Sequence, residues 1–287
     1  MRALSYARAL EIRRDFPDAI ELTPEVIVHR EFFESQQWWK QEEIRAIAVG
    51  MAAYRAVLVG KAAARVTGIP VLRNGPVELC LPGGVCAPSR KRWQTGVEYR
   101  HWQLHDDDWT IHKGVRVTRG RRTVIDIART GTLAEGLAAI DHVLYTQQTN
   151  MESIDAQLSR FRRLPGVSKA RRAMELASPR AESPLESWAR AQLIEAGIHD
   201  FFLQIEIEGC RVDLLIQEWL VVEIDGKSKY TDFGEEKKWE EEKERNDKIL
   251  AAGYHILHVG RKELKTMVQG ESEFIHKVRK LLQRRRR

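Results

Sequence analysis

The stretch Gly209-Cys210-Arg211-Val212-Asp213-Leu214-Leu215-Ile216-Gln217-Glu218-Trp219-Leu220-Val221-Val222-Glu223-Ile224-Asp225-Gly226-Lys227-Ser228-Lys229 decides how the carboxy-terminal part of this chain is read. Its apolar residues alternate as they do in strands that bury one face. Three acids, Asp213, Glu223 and Asp225, fall inside these strands. If Gly209-Cys210 forms a two-residue type II′ turn, Ile207 faces Val212, Ile205 faces Leu214, Leu203 faces Ile216 and Glu206 meets Asp213. If Gln217 to Trp219 is the next loop, Ile216 faces Leu220, Leu214 faces Val222 and Val212 faces Ile224. Asp213 then stands opposite Glu223, with Asp225 on the same side of the strand. A loop shorter by one residue would turn Glu223 into the aliphatic face, because a one-step slip inverts every side chain.

Opposed residues of such strands have Cβ atoms about 4.5–5.5 Å apart. Two carboxylates at about 4 Å repel by roughly 4 kcal/mol at an effective dielectric near 20. A divalent cation with oxygen ligands, Mg²⁺ or Mn²⁺, is the counter-charge this pattern calls for, since no histidine or cysteine is legible at the cluster. The same letters also fit strand-edge acids balanced by Arg211, Lys227 or Lys229, or a pair with one acid protonated. Upstream, Ser183-Pro184-Leu185-Glu186 reads as a helix start, with Ser as N-cap and Pro at the first helical position. Glu186 is either part of that cap or a further acid presented to the metal.

The order helix, three strands, helix, strand, with these acids, resembles the PD-(D/E)xK nuclease superfamily. More closely, residues 183–265 resemble the domain of unknown function related to very-short-patch-repair endonucleases. The matching stretches are Ser-Pro-Leu-Glu (183–186), Arg-Val-Asp-Leu (211–214), Val-Glu-Ile-Asp-Gly-Lys-Ser-Lys-Tyr (222–230), Glu-Lys-Glu-Arg-Asn-Asp (242–247) and Gly-Tyr-His-Ile-Leu-His-Val (253–259). The resemblance implies a restriction-endonuclease-like core with metal ligands drawn from Asp213, Glu223, Asp225 and Glu186. Asp225 stands where the superfamily usually has its lysine, so the lysine role passes to Lys229 or Lys227. Arg245 and Lys243 on the following helix are candidate phosphate contacts.

The 287-residue length favours two domains. We place an antitoxin-like mixed α/β domain at 1–160, a linker at 161–183 and the nuclease-like domain at 184–287, an α/β (α+β) fold class throughout. Helices are expected at 3–13, 39–55, 62–67, 123–128 and 133–145, with helix-forming sequence running on to about 158. Strands are expected at 77–81, 97–104 and 115–118. In the carboxy-terminal part, strands are expected at 201–208, 211–216, 220–225 and 254–259, and helices at 184–196, 235–252 and 271–283. Ala62-Ala63-Ala64-Arg65-Val66-Thr67-Gly68-Ile69-Pro70, Val77-Glu78-Leu79-Cys80-Leu81-Pro82-Gly83 and Val115-Arg116-Val117-Thr118 resemble the regulatory region of abortive-infection (AbiEi-type) antitoxins, which implies DNA binding there.

The net charge of +6 favours polyanionic partners. The run 113–122 concentrates it, through Lys113, Arg116, Arg119, Arg121 and Arg122, with no acid between. Shorter basic runs lie at 89–93 and at Arg284 to Arg287, so DNA is the expected partner, with a protein toxin as another. No apolar run approaches the ~18 residues of a membrane span. The amino terminus lacks the apolar core of a secretory signal, and the three cysteines, Cys80, Cys86 and Cys210, have no metal-ligand spacing. A cytoplasmic protein with reduced thiols is expected. Two functions follow: a metal-dependent DNA endonuclease in repair or phage defence, or a non-catalytic DNA-binding regulator carrying a degenerate nuclease fold.

Overall fold

The computed structural model describes residues 17–285 except 54, 84, 162–163 and 227–234, and the side chains of 235–240 also lie outside it. The expected helix at 3–13, the candidate catalytic residues Lys227 and Lys229, and the terminal Arg286 and Arg287 therefore fall outside the described residues. The chain has an α+β fold and forms two compact units. The first is built from the described residues up to Ala139 and from Thr146–Glu175, the second from Ile140–Tyr145 and from Leu176 onward.

The first unit begins with a hairpin, β1 (Ala19–Thr23) and β2 (Val26–His29), then helices α1 (Arg30–Ser35) and α2 (Trp38–Ala52). A five-stranded mixed sheet follows, made of β3 (Val57–Leu58), β4 (Val77–Cys80), β5 (Val97–Tyr99), β6 (Trp109–His112) and β7 (Val115–Thr118) in the order β5-β4-β3-β7-β6. Helix α3 (Gly60–Thr67) packs on this sheet through small residues, with Ala62, Ala63 and Val66 fully buried beside Leu58, Leu79 and Val117. It stops at Gly68, whose left-handed backbone (φ 81°) lets the chain turn out of the helix. Helices α4 (Gly120–Thr130), α5 (Leu133–Tyr145), α6 (Met151–Ser159) and α7 (Val167–Leu176) come next. The hairpin β1–β2 carried no clear sequence signal, while the strands at 77 and 115 and the helices at 38 and 133 stand where periodicity put them.

A buried ionic cluster ties α4 to the segment before β6. Arg122 and Asp126 are both fully buried, one helical turn apart on α4, and Arg122 Nε donates to Asp126 Oδ2 at 2.8 Å. Arg122 Nη1 donates to Asp108 Oδ2 at 2.8 Å, and Gln157 Nε2 from α6 donates to Asp108 Oδ1 at 2.8 Å. Arg129 Nε donates to Asp126 Oδ1 at 2.7 Å. The guanidinium of Arg122 also lies 4.5 Å from the centre of the Phe161 ring, and that of Arg129 4.0 Å from Trp102. Gly166 precedes α7 with φ 80°, and a Cβ there would overlap the carbonyl oxygen of Arg129. Gly166→Ala is expected to cost about 3 kcal/mol, from backbone strain and the clash together. A melting temperature unchanged from wild type would refute that account.

The second unit centres on a four-stranded sheet. Strands β8 (Phe201–Ile207), β9 (Cys210–Ile216) and β10 (Leu220–Asp225) form an antiparallel meander, and β11 (His255–Gly260) adds parallel to β10. Helix α8 (Pro184–Glu195) precedes the meander and α9 (Glu235–Ala251) makes the crossover between β10 and β11. Ile249 of α9 packs on Val212, Leu215 and Val221. The chain ends with α10 (Arg261–Lys265), the short hairpin β12 (Met267–Val268) and β13 (Glu271–Ser272), and α11 (Glu273–Arg285). Arg285, from the basic tail, lies over the Trp219 ring at 5.2 Å and donates to the Gln217 carbonyl at 2.9 Å.

Beneath α8 sits a second buried ion pair. Arg190 Nη2 donates to Asp141 Oδ2 at 2.5 Å, Ser187 Oγ to the same oxygen at 2.7 Å, and Ser178 N to Asp141 Oδ1 at 2.7 Å. Asp141 belongs to the last two turns of α5. Among the described residues no helix is long and apolar enough to cross a membrane.

Candidate active site

The hairpin between β8 and β9 differs from the sequence expectation in a specific way. Its two-residue loop is Glu208-Gly209, with φ 49° and 72°, the paired left-handed backbone of a type I′ turn, instead of Gly209-Cys210. Ile207 therefore pairs with Cys210, Ile205 with Val212 and Leu203 with Leu214. The slip is two residues, so every side chain keeps its face, but Glu206 pairs with Arg211 and not with Asp213. The register places Gln204 across from Asp213, and a neutral amide replaces a repelling acid. Between β9 and β10 the expected register holds from Leu220, paired to Ile216, to Val222, paired to Leu214, and the ladder ends there, short of the expected pairs Asp213–Glu223 and Val212–Ile224. The next position on each strand is Glu223 and Asp213.

Gln204 is the hinge of the cluster. Its backbone is left-handed (φ 48°) in mid-strand, a conformation that costs about 1–3 kcal/mol and collects at functional sites. Its Nε2 donates to Glu186 Oε2 at 2.8 Å and to Asp213 Oδ1 at 3.2 Å. Nothing in the sequence pattern marked this residue. Asp213 Oδ2 accepts from the Ile224 N–H at 2.8 Å, which fastens β9 to β10 at the site. Ser183 caps α8 by accepting from the Glu186 N–H at 3.2 Å. Glu186 Oε2 accepts from the Glu182 N–H at 3.0 Å, so its carboxylate serves the helix start and reaches Asp213 through Gln204 at once. Glu186 thus serves the helix start and is linked to Asp213 through Gln204.

Glu223 is buried on β10, and Arg245 Nη2 of α9 donates to its Oε1 at 2.6 Å and to the Arg211 carbonyl at 2.5 Å. The structure thus gives Arg245 an internal carboxylate partner. Burial raises the Glu223 carboxyl above its ordinary range, and the charge of Asp213 adds to this, with Arg245 offsetting part. Glu186 is raised in the same way, by burial first and with Asp213 contributing, against the donors around it.

A carboxyl raised in the folded state binds protons more tightly there than in the unfolded chain. Its penalty is present at neutral pH and is relieved as pH falls through the folded value toward the unfolded one near 4.3. Asp213→Asn keeps an acceptor for the Ile224 N–H, gives up the longer bond from Gln204 Nε2 at 3.2 Å, and removes the repelling charge. The variant is expected to be more stable than wild type at pH 8 by on the order of 1 kcal/mol, with the gap closing as pH falls through the raised values. Denaturant titrations of both proteins at several pH values check this, and a pH-independent gap would overturn the electrostatic explanation.

Asp225 lies further along β10 in a second group. His258 Nδ1 on β11 is 3.4 Å from Asp225 Oδ2, and ligand atoms of Asp225, Glu242 and His258 lie within 4.8 Å of one another. A histidine is thus present beside the acids, which corrects the expectation that none was. It was missed because its position depends on the parallel pairing of β10 with β11, which sets His258 beside Glu223 and Gly260 beside Asp225. Lys243 is exposed on α9.

In the basic run of the first unit, Arg119 is exposed at the N-cap of α4. Arg116 donates to the Arg55 carbonyl at 3.1 Å and lies over the Trp109 ring at 5.1 Å. Arg121 donates to Gln157 Oε1 at 3.0 Å and to the Asp107 carbonyl at 2.9 Å. Arg122 has to be withdrawn as a nucleic-acid contact: it is fully buried and both its carboxylate partners are internal.

No family model and no curated protein matches the chain. Among solved structures it is similar to a crystal structure of the RV2827C protein from Mycobacterium tuberculosis, at 15% sequence identity and a TM-score of 0.36. The likeness covers 69% of this chain and 72% of that one, and at this level it carries no argument.

Proposed function

We propose that the second unit hydrolyses DNA phosphodiester bonds with a bound Mg²⁺ or Mn²⁺. The observation that carries this reading is Asp213 set between Glu186, joined to it through Gln204, and Glu223 of the neighbouring strand, with both glutamates held toward protonation by burial and by the charge of Asp213. A protein that keeps acids together at such a cost has a use for their charge. The resemblance of residues 183–265 to the PD-(D/E)xK nucleases points the same way.

The donor set is all oxygen and suits a hard divalent ion. Asp213 and Glu223 would hold it. Such an ion supplies a more acidic bound water and neutralises charge on the phosphate. Glu186, tied back to the Glu182 N–H, orients Asp213 through Gln204. Arg245 balances Glu223 and would be the guanidinium placed to meet a phosphate oxygen. Lys229 or Lys227 carries the lysine role that the resemblance assigns. Arg116, Arg119 and Arg121, with Lys243, are the proposed contacts to the DNA backbone, whose affinity falls steeply with salt. A cytoplasmic setting in repair or phage defence fits this activity.

The pairing of Arg245 with Glu223 favours a second reading. An internal cation at an acid that would ligate a metal is what a degenerate site would retain, and the AbiEi-like motifs of the first unit suit a DNA-binding regulator with a toxin partner. Supercoiled and linear DNA incubated with the protein and Mg²⁺ or Mn²⁺ separates the two. Cleavage by wild type that disappears in Asp213→Ala supports the nuclease. Sequence-specific DNA binding without cleavage in either metal supports the regulator.

A further inference from the structure

We propose that Asp225, Glu242 and His258 form a separate cation site that takes a borderline-soft divalent ion such as Zn²⁺ or Co²⁺ in preference to Mg²⁺. The three residues come from three different elements, β10, α9 and β11, and the fold brings their ligand atoms within 4.8 Å of one another. The parallel pairing of β10 with β11 supplies His258, with Gly260 rather than a bulky side chain paired to Asp225. Glu242 stands three residues before Arg245 on α9, so the helix face that delivers Arg245 to Glu223 also delivers Glu242 to Asp225.

The separation of His258 Nδ1 from Asp225 Oδ2 is 3.4 Å. Two ligands of one ion, each bound at about 2.0–2.1 Å, lie about 3.4 Å apart at the tetrahedral angle. The third carboxylate needs only a side-chain adjustment of Glu242 to close on the same point. Two carboxylates here have one imidazole as a shared neighbour. One turn along the same helix from Glu242, Asn246 keeps a buried Oδ1 with no hydrogen-bond partner among the described residues.

The imidazole decides the class of ion. Mg²⁺ takes near-octahedral oxygen ligands and holds its waters, whereas nitrogen beside carboxylates suits Zn²⁺ and Co²⁺. With three protein ligands, at least one position of the ion remains open. Its ligands do not include Asp213 or Glu223, and it goes beyond the hydrolytic reading above.

The test is titration of the full chain with Co²⁺, followed by its visible absorption, and with Zn²⁺ by calorimetry. Wild type is expected to bind, and His258→Ala and Asp225→Asn to bind at least about 10-fold more weakly. Asp213→Asn is expected to keep the part of the Co²⁺ absorption that His258→Ala removes. The His258 side chain is 39% exposed, so the His258→Ala chain should melt as wild type does without metal, which excludes misfolding as the cause of a loss. Equal Co²⁺ affinity in wild type and His258→Ala would overturn the inference, as would competition by Mg²⁺ at equal concentration. Neither result touches the nuclease reading, which is judged on DNA cleavage alone.

Discussion

Replacing Arg122 by Met is expected to destabilise the first unit by about 3–5 kcal/mol and to lower its melting temperature by roughly 10 °C. Arg122 is the shared cation of two buried carboxylates, Asp108 and Asp126, at 2.8 Å from each. Removing it leaves Asp108 with Gln157, the His105 N–H and Arg160 at 3.7 Å, and Asp126 with Arg129, both acids being fully buried. Most of the loss comes from the stranded acids and not from the missing guanidinium. The triple variant Arg122→Met, Asp108→Asn, Asp126→Asn should therefore recover part of what the single change loses, a coupling that a thermodynamic cycle measures directly. If the single variant melts within a few degrees of wild type, the cluster is less dependent on Arg122 than its geometry states.

The second large effect belongs to the candidate active site. Glu223→Ala is expected to reduce Mg²⁺- or Mn²⁺-dependent DNA cleavage by more than about 100-fold, since loss even of groups that only support a metal ligand costs 10–100-fold. DNA binding should behave differently. With its carboxylate partner gone, Arg245 is free to contact phosphate, so affinity in low salt should hold or rise, with a steeper salt dependence. Cleavage unchanged in Glu223→Ala would sink the assignment of the site. Cleavage and binding lost together, with a collapsed melting curve, would show that Glu223 serves folding, because Arg245 also reaches the Arg211 carbonyl.

How much was legible in the sequence depended on whether burial was at stake. The pairing of β9 with β10 could be read because Leu214, Ile216, Leu220 and Val222 must share one apolar face, and any odd slip would bury Glu223 among them. The pairing of β8 with β9 could not be fixed to better than two residues, since a two-residue shift leaves every face unchanged. The turn decides it, and Glu208 in a left-handed backbone is an uncommon choice that composition does not announce. His258 escaped because a crossover helix stands between β10 and β11, and no loop length fixes that register. Arg122 was misplaced because a basic run was read by charge alone. Its spacing to Asp126 and that of Arg129 to the same acid, one helical turn each, were the available signal that these cations look inward.

The Asp141 cluster under α8 bears on how the second unit can be handled as a module. A cassette cut at Leu176 would carry Arg190 and Ser187 but leave their carboxylate behind, since Asp141 comes from an earlier stretch of chain. Such a fragment would hold a cation in its interior with no counter-ion, however complete its sheet and acids looked. Transplanting this unit into another protein, or expressing it alone, thus requires the short upstream segment Ile140–Tyr145 to travel with it.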